Sequence, residues 1–165
     1  MDKYFYLVAQ LPTLFFGEKP ALRLTGFIAE AQKWVKGNDW QLLLSIAENG
    51  DASESSAAFR LFRAYEADLR QDIAHWRKAR RANHDYKPAH LPATFLKEGN
   101  PLEIEQKLIR LQWDFLDSLE SGHHFDIDFL VIYALKLKLL ERLSLFDKEK
   151  GFETYQQRSQ TNVEI

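Results

Sequence analysis

Two acid-x-x-His spacings are the part of this sequence best suited to metal chemistry. Asp72 and His75 form one of them, and Glu120 and His123 form the other. In di-metal carboxylate bundles, Glu-x-x-His occurs on two helices, and two further glutamates point inward. No other helix predicted here carries a glutamate on its apolar face, so the set is incomplete. A metal-binding helical-bundle enzyme that uses these residues is therefore the alternative hypothesis, and we predict no metal ligand.

The segment from His123 to Asp128 gathers imidazoles and carboxylates in the sequence HHFDID. Gly122 separates it from the helix that is predicted before it. Asp126 is suited to accept a backbone N–H at the start of the next helix. Turn and N-cap chemistry thus explains these residues without a metal.

A basic segment with an aromatic side chain follows His75 and reads WRKARR. Such a run can contact the phosphates of RNA or DNA, or it can be a solvated helix end whose cations oppose the negative end of the helix dipole. The formal net charge of the chain is −2, which gives no general attraction to nucleic acid. We therefore predict a surface for an acidic protein partner and no nucleic-acid partner. The predicted partner-binding residues are Trp76, Arg77, Lys78, Arg80 and Arg81.

No catalytic motif stands out in the sequence. It contains no cysteine, which excludes disulfides, thiolate nucleophiles and cysteine-based zinc sites. A Gly-rich phosphate loop, a Gly-x-Ser-x-Gly elbow and a His-Glu-x-x-His run are also missing. We therefore expect a protein that is not an enzyme, with no catalytic residue and no cofactor.

Residues 125–146 form the most apolar stretch and predict the central helix of the fold. Apolar residues occupy nearly every position from Phe129 to Leu135, as expected for a helix that others surround. Lys136 and Lys138 then interrupt this apolar cover. A membrane-spanning helix needs about 20 mostly apolar residues, so the pattern indicates a buried core helix and no membrane insertion.

Residues 4–11 fit either a short helix or a strand, whereas helical periodicity and N-cap residues predict helices elsewhere. The first of these helices covers residues 26–35 after Thr25, and a short second one runs to Ala47 after a cap at Asn38 or Asp39. The longest helix runs from Ser53 or Ser55 to about Asn83. Another covers residues 102–121 after Asn100 and Pro101. The sequence therefore predicts a single all-α domain over residues 1–165, a helical bundle with a long central helical hairpin of residues 102–121 and 127–146. Residues 152–165 are polar and predict a flexible tail.

The opening of the chain resembles a known class of protein. Residues 4–11, YFYLVAQL, resemble the N-terminal Tyr-x-Tyr…Ala-x-Leu pattern in the central-stalk C (d) subunits of V/A-type ATPases. Residues 128–151, with Tyr133 and Arg142, are weakly similar to the C-terminal helix of those subunits. The whole chain more closely resembles a small bacterial family of unassigned function encoded beside V-type ATPase genes. Its members open as residues 2–12 do here, DKYFYLVAQLP.

This resemblance implies an all-α, non-catalytic assembly or coupling subunit of a bacterial V-type ATPase, similar to the C (d) subunit. The partners that it implies are ATPase subunits of the rotor stalk or the membrane ring. It further implies a cytoplasmic protein that is at most peripheral at the inner face of the membrane. Tyr4, Tyr6, Tyr133 and Arg142 match the family pattern, which assigns them no catalytic role.

Overall fold

The computed structural model describes residues 3–92, 95 and 100–163, with side chains as far as Phe146, and its regular secondary structure in these residues is entirely helical. The all-α prediction is therefore confirmed for this part of the chain. The helices are α1 (Phe5–Gln10), α2 (Leu24–Trp34), α3 (Gly37–Ala47), α4 (Ala57–Arg81), α5 (Pro101–Glu120) and α6 (Ile127–Val163).

Helix α6 lies at the centre of the bundle, as its sequence predicts. Helices α2, α3, α4 and α5 all contact it. Leu130, Val131, Ala134 and Leu137 are completely buried, because neighbouring helices cover this part of α6 on every side. Burying each of the larger side chains contributes roughly 1.5–3 kcal/mol to folding. None of the described helices is both long and apolar enough to cross a membrane.

Lys136 and Lys138 connect α6 to neighbouring helices, although the sequence predicts that they interrupt its apolar cover. The Lys136 ammonium lies 2.5 Å from Asp117 Oδ1 and 2.7 Å from Glu120 Oε2, both on α5. Lys138 Nζ donates to the Ile46 carbonyl at the end of α3, at 2.9 Å. The stems of both lysines can therefore pack among apolar side chains while their charged ends are hydrogen-bonded.

Helices α5 and α6 run in opposite directions. Lys136, in the first half of α6, contacts Asp117 and Glu120 at the end of α5. Arg142 lies further along α6 and is 3.0 Å from Glu105 at the start of α5. These two pairs fix the relative direction of the helices.

Side-chain caps begin α4, α5 and α6. Asn100 and Asp126 were predicted as caps, and each accepts the backbone N–H three residues later, at 2.9 Å. For α4 the predicted caps were Ser53 or Ser55, but the hydroxyl of Ser56 accepts that hydrogen bond, at 3.1 Å. The predicted caps are thus confirmed for α5 and α6, and the start of α4 shifts by at least one residue.

The predicted starts of α2 and α3 are wrong. Helix α2 begins at Leu24, and the Leu24 N–H donates to Glu141 Oε1 at 3.1 Å. A residue of α6 therefore supplies the acceptor that Thr25 was predicted to supply. Helix α3 begins at Gly37, which has a positive φ of 63°, and Asp39 lies inside its first turn. The local sequence does not reveal a cap that comes from a distant helix.

Helix α6, rather than α4, is the longest described helix. It has 37 residues and α4 has 25. The residues after Gly151 contain no proline, and one glycine costs a helix only about 1 kcal/mol relative to alanine. The helix therefore continues to Val163. The flexibility predicted for residues 152–165 stays a prediction.

A second apolar cluster joins the later turns of α4 to the earlier turns of α5. Its buried members are Leu69, Ile73, Leu91, Phe95 and Leu108. The larger cluster surrounds α6 and contains none of these residues. The second cluster therefore lies beneath the later turns of α4, and the stacked rings of Tyr65 and Phe115 join it to the main core.

Candidate partner-binding surface

The predicted partner-binding residues lie together on the last turns of α4. Arg77, Lys78, Arg80 and Arg81 are exposed, and Trp76 is half-buried. The Arg80 guanidinium lies 5.2 Å from the centre of the Trp76 ring, a distance at which a cation is attracted to an indole. This segment therefore presents cations beside an aromatic surface, and its binding role stays a prediction.

The cations of this basic segment form no ion pair with any carboxylate in the part of the chain that the structure describes. Two arginines on earlier turns of α4 behave differently, because Arg63 and Arg70 lie 3.5 and 3.1 Å from Glu66. The positive charge at the end of α4 is thus not compensated by the described side chains around it.

Backbone N–H groups satisfy carbonyls at the end of α4. The His84 N–H donates to the Ala79 carbonyl at 2.9 Å, and the Asn83 N–H donates to the Arg80 carbonyl at 3.3 Å. Asn83 has a positive φ of 55°, which is common where a helix ends. The basic side chains are therefore not required as hydrogen-bond donors here, although they still interact favourably with the helix dipole.

A groove of about 470 Å³ lies between the end of α4 and the start of α5. We call it the α4–α5 groove. Its described lining contains no carboxylate and consists of Ile73, Trp76, Arg77, Arg80, Arg81, Pro101 and Ile104. Apolar side chains beside unpaired cations suit a partner that offers apolar groups flanked by carboxylates.

Asp72 holds the loop that follows α4. The residue is only 2% exposed. Asp72 Oδ1 accepts hydrogen bonds from the Tyr86 hydroxyl at 2.8 Å and the Ala89 N–H at 3.1 Å. Asp72 Oδ2 accepts from the His90 N–H at 2.6 Å and the Leu91 N–H at 2.9 Å. These contacts place Leu91 in the second apolar cluster, beneath the basic end of α4.

The same donors keep the Asp72 carboxylate ionised. Burial by itself would raise the pKa of Asp72. The backbone N–H groups of His90, Ala89 and Leu91, together with the Tyr86 hydroxyl, outweigh burial and lower this pKa to about 2. At neutral pH, Asp72 is therefore an anion whose oxygens are already hydrogen-bonded.

The structure does not bring the two acid-x-x-His pairs into one site. Asp72 is bonded to the loop after α4, and Glu120 is bonded to Lys136. His75 Nδ1 lies 3.5 Å from the hydroxyl of Tyr86. Among the described residues, no group of potential ligands close enough to share a metal contains members of both pairs.

His123 belongs instead to a cluster at the start of α6. His123 Nδ1 lies 2.7 Å from Asp126 Oδ2 and 3.8 Å from Asp128 Oδ2, and one potential ligand atom from each residue lies within 4.8 Å of the others. The hydrogen bond with Asp126 raises the pKa of His123. Asp126 also caps α6, and Asp128 accepts a hydrogen bond from Ser56 at 3.4 Å. Helix-start chemistry thus accounts for both carboxylates, as the sequence predicts.

An exposed aromatic cluster near the N-terminus was missed by the sequence analysis. Phe5, Tyr6 and Trp34 are 50%, 69% and 44% exposed. The Tyr6 and Trp34 rings stack with their centres 6.1 Å apart, and the Phe5 ring lies 4.9 Å from that of Phe125. Every residue from 4 to 9 is apolar or aromatic, so periodicity could not show which of them face solvent.

Comparison with known proteins gives a partial family match. Residues 92–160 match the model of a family described as "Protein of unknown function (DUF2764)". The match covers less than half of the chain, and it includes α5 but not α4. No curated protein and no solved structure matches the chain. The expected similarity to a family of unassigned function is thus supported over these residues, and the association with an ATPase stays a prediction.

Proposed function

We propose that this protein is a non-catalytic assembly or coupling subunit that binds a bacterial V-type ATPase at the rotor stalk or the membrane ring. The choice of partner rests on the resemblance of residues 2–12 to proteins encoded beside V-type ATPase genes. The binding role rests on one structural observation, the uncompensated cations beside Trp76 at the end of α4. In this proposal the protein acts in the cytoplasm, at the inner face of the membrane.

An acidic protein surface fits the α4–α5 groove better than a nucleic acid does. The groove places Ile73 and Ile104 beside its arginines. Protein side chains can cover such apolar surface, whereas nucleic-acid binding without base stacking depends on phosphate contacts. The formal net charge of −2 also gives a polyanion no long-range attraction to the chain as a whole.

Affinity capture tests the partner. The tagged full-length chain is co-expressed with the V-type ATPase subunits of the same genome and captured at roughly physiological salt, where exposed charges act over about 8 Å. We expect stalk or ring subunits to be recovered with it. The double variant Arg77→Glu/Arg80→Glu should lower the recovery at least about tenfold, because attraction is replaced by repulsion at the contact.

The matched control is Arg23→Glu/Arg60→Glu. Both of these arginines are exposed, and the variant makes the same change in net charge away from the groove. We expect it to recover the ATPase subunits as the unmodified chain does. Recovery of no ATPase subunit would refute the proposed partner, and equal losses in the two variants would refute the proposed surface.

A metal-binding helical-bundle enzyme is the alternative proposal. The observation in its favour is the close approach of His123, Asp126 and Asp128. Against it, Asp72 and Glu120 already have other hydrogen-bond partners. Metal analysis of protein purified without a histidine tag distinguishes the two proposals, since stoichiometric metal supports the alternative and its absence opposes it.

A further inference from the structure

A second cavity extends the α4–α5 groove toward α6. It measures about 360 Å³ and shares Ile73 and Arg77 with the first cavity, so the two adjoin. Arg70 and Ala74 of α4, Leu108 of α5 and Arg142 of α6 contribute to its lining. The combined surface is elongated along α4 rather than confined to one small pocket.

Positive charge dominates this extended groove. Its lining contains Arg70, Arg77, Arg80, Arg81 and Arg142, against one carboxylate, Glu105, among the described residues. Arg142 pairs with Glu105, and Arg70 pairs with Glu66 outside the lining. The side chains of Arg70 and Arg142 are 68% and 44% exposed. Their carboxylate partners, Glu66 and Glu105, are 15% and 35% exposed. Because both guanidinium groups remain in contact with solvent, a partner's carboxylates can approach them without breaking these pairs.

Gln112 adds a buried polar group to the same groove. It is 5% exposed, and its Oε1 has no hydrogen-bond partner among the described residues. The residue lines the second cavity. Because this oxygen is enclosed, it can reach a donor in the groove only if the side chain turns toward the groove. An occupant of this groove would therefore combine carboxylates for its arginines with apolar side chains for Ile73 and Leu108.

We propose that the extended groove binds an acidic amphipathic helix of a partner protein. This inference rests on the proposed function, because it specifies the partner element that the basic end of α4 recognises. Arg70 and Arg77 are about 10 Å apart along the axis of α4, and Arg70 and Arg81 are about 16 Å apart. A helix lying along the groove meets these charges with acidic residues about two turns apart, while its apolar face covers the groove floor.

A designed peptide tests this inference. The probe is a fluorescein-labelled helical peptide about 18 residues long, with one apolar face and two glutamates seven residues apart beside that face. Its binding to the full-length chain is measured by fluorescence anisotropy. We expect the variant Arg77→Gln/Arg142→Gln to raise Kd about tenfold.

Matched controls separate the groove from general charge attraction. Arg23→Gln/Arg60→Gln removes the same charge from exposed positions outside the groove and should leave Kd within about twofold. The same peptide with lysines in place of the glutamates, and a scrambled peptide of equal charge without an apolar face, should each bind at least about tenfold more weakly.

Four results would overturn the inference. They are no binding of the acidic peptide, equal binding of the scrambled peptide, an equal loss of affinity in the groove and control variants, and tighter binding of a single-stranded oligonucleotide of equal charge.

Failure of the groove inference is distinguishable from failure of the proposed function. Co-purification of ATPase subunits without peptide binding refutes the groove inference alone. Peptide binding without ATPase subunits in the capture refutes the ATPase partner alone.

Discussion

Replacing Asp72 with asparagine should lower the free energy of unfolding by about 2 kcal/mol at pH 7. Both Asp72 oxygens accept hydrogen bonds, three from backbone N–H groups and one from the Tyr86 hydroxyl. An asparagine keeps one acceptor oxygen and places an NH₂ group where the other oxygen was. Backbone donors at that end of the side chain then face another donor, and each unsatisfied buried donor costs about 1–3 kcal/mol.

The lowered pKa of Asp72 gives a second measure of the same effect. The pKa falls from 3.8 to about 2 on folding, and each unit corresponds to 1.36 kcal/mol of differential stability, or about 2 kcal/mol here. A lowered folded-state pKa stabilises the protein above the unfolded-state value and loses this contribution as the pH falls through the folded-state value. The contribution of Asp72 should therefore be complete above about pH 5 and vanish progressively between about pH 4 and pH 2.

Urea unfolding followed by circular dichroism at pH 7, 5, 4 and 3 measures this contribution. The difference between the unmodified protein and Asp72→Asn should be constant from pH 7 to pH 5 and shrink at pH 4 and pH 3. Asp68→Asn is the matched control. It lies one turn earlier on α4, its side chain is 46% exposed, and the His90 ring nitrogen Nε2 lies 4.0 Å from its Oδ2. We expect this control to change stability by less than about 0.5 kcal/mol.

Two results would refute this reasoning about Asp72. One is a stability of Asp72→Asn within about 0.5 kcal/mol of the unmodified protein at pH 7. The other is a destabilisation that stays the same at pH 3 as at pH 7, since it would then not depend on the ionised carboxylate. The first result would mean that the loop after α4 is held by its apolar residues, Leu91 and Phe95, rather than by Asp72. The second would mean that Asp72 stabilises the loop without needing to be ionised.

Two further predictions concern α6. Lys136→Ala should lower the free energy of unfolding by about 2 kcal/mol, because the buried stem is lost. Lys136→Met should change it by less than about 1 kcal/mol, because the methionine keeps an apolar stem and the carboxylate partners of Lys136 remain partly solvated. Urea unfolding measures both variants, and equal losses of stability would contradict this expectation. The pKa of His123, followed by NMR, should lie above 6.5 and fall when Asp126 is replaced by asparagine. Because a raised folded-state pKa stabilises the protein at low pH, the contribution of His123 to stability is complete below about pH 6.5 and disappears as the pH rises through the folded-state pKa. An unchanged His123 pKa in Asp126→Asn would contradict the role given to Asp126.

Short-range signals in the sequence were sufficient for most helices. The apolar run in α6 predicts a helix covered on all sides, because a helical segment that is apolar on every face is buried by other helices packed around it. Asn100 and Asp126 predict the starts of α5 and α6, because a capping side chain acts within three residues of itself. The basic segment at the end of α4 was likewise visible from composition alone. These features depend on contacts within about one helical turn.

The tertiary structure decided which polar residues remain available for binding. Asp72 and His75 looked like a metal-binding pair, but Asp72 is bonded to a loop 14 to 19 residues further along the chain. Glu141 caps α2 from a helix 117 residues away. The uncompensated charge at the end of α4 became evident once the surrounding carboxylates had been located. Sequence thus determined where helices form, since their hydrogen bonds are local, whereas the partners of the charged side chains were set by how those helices pack.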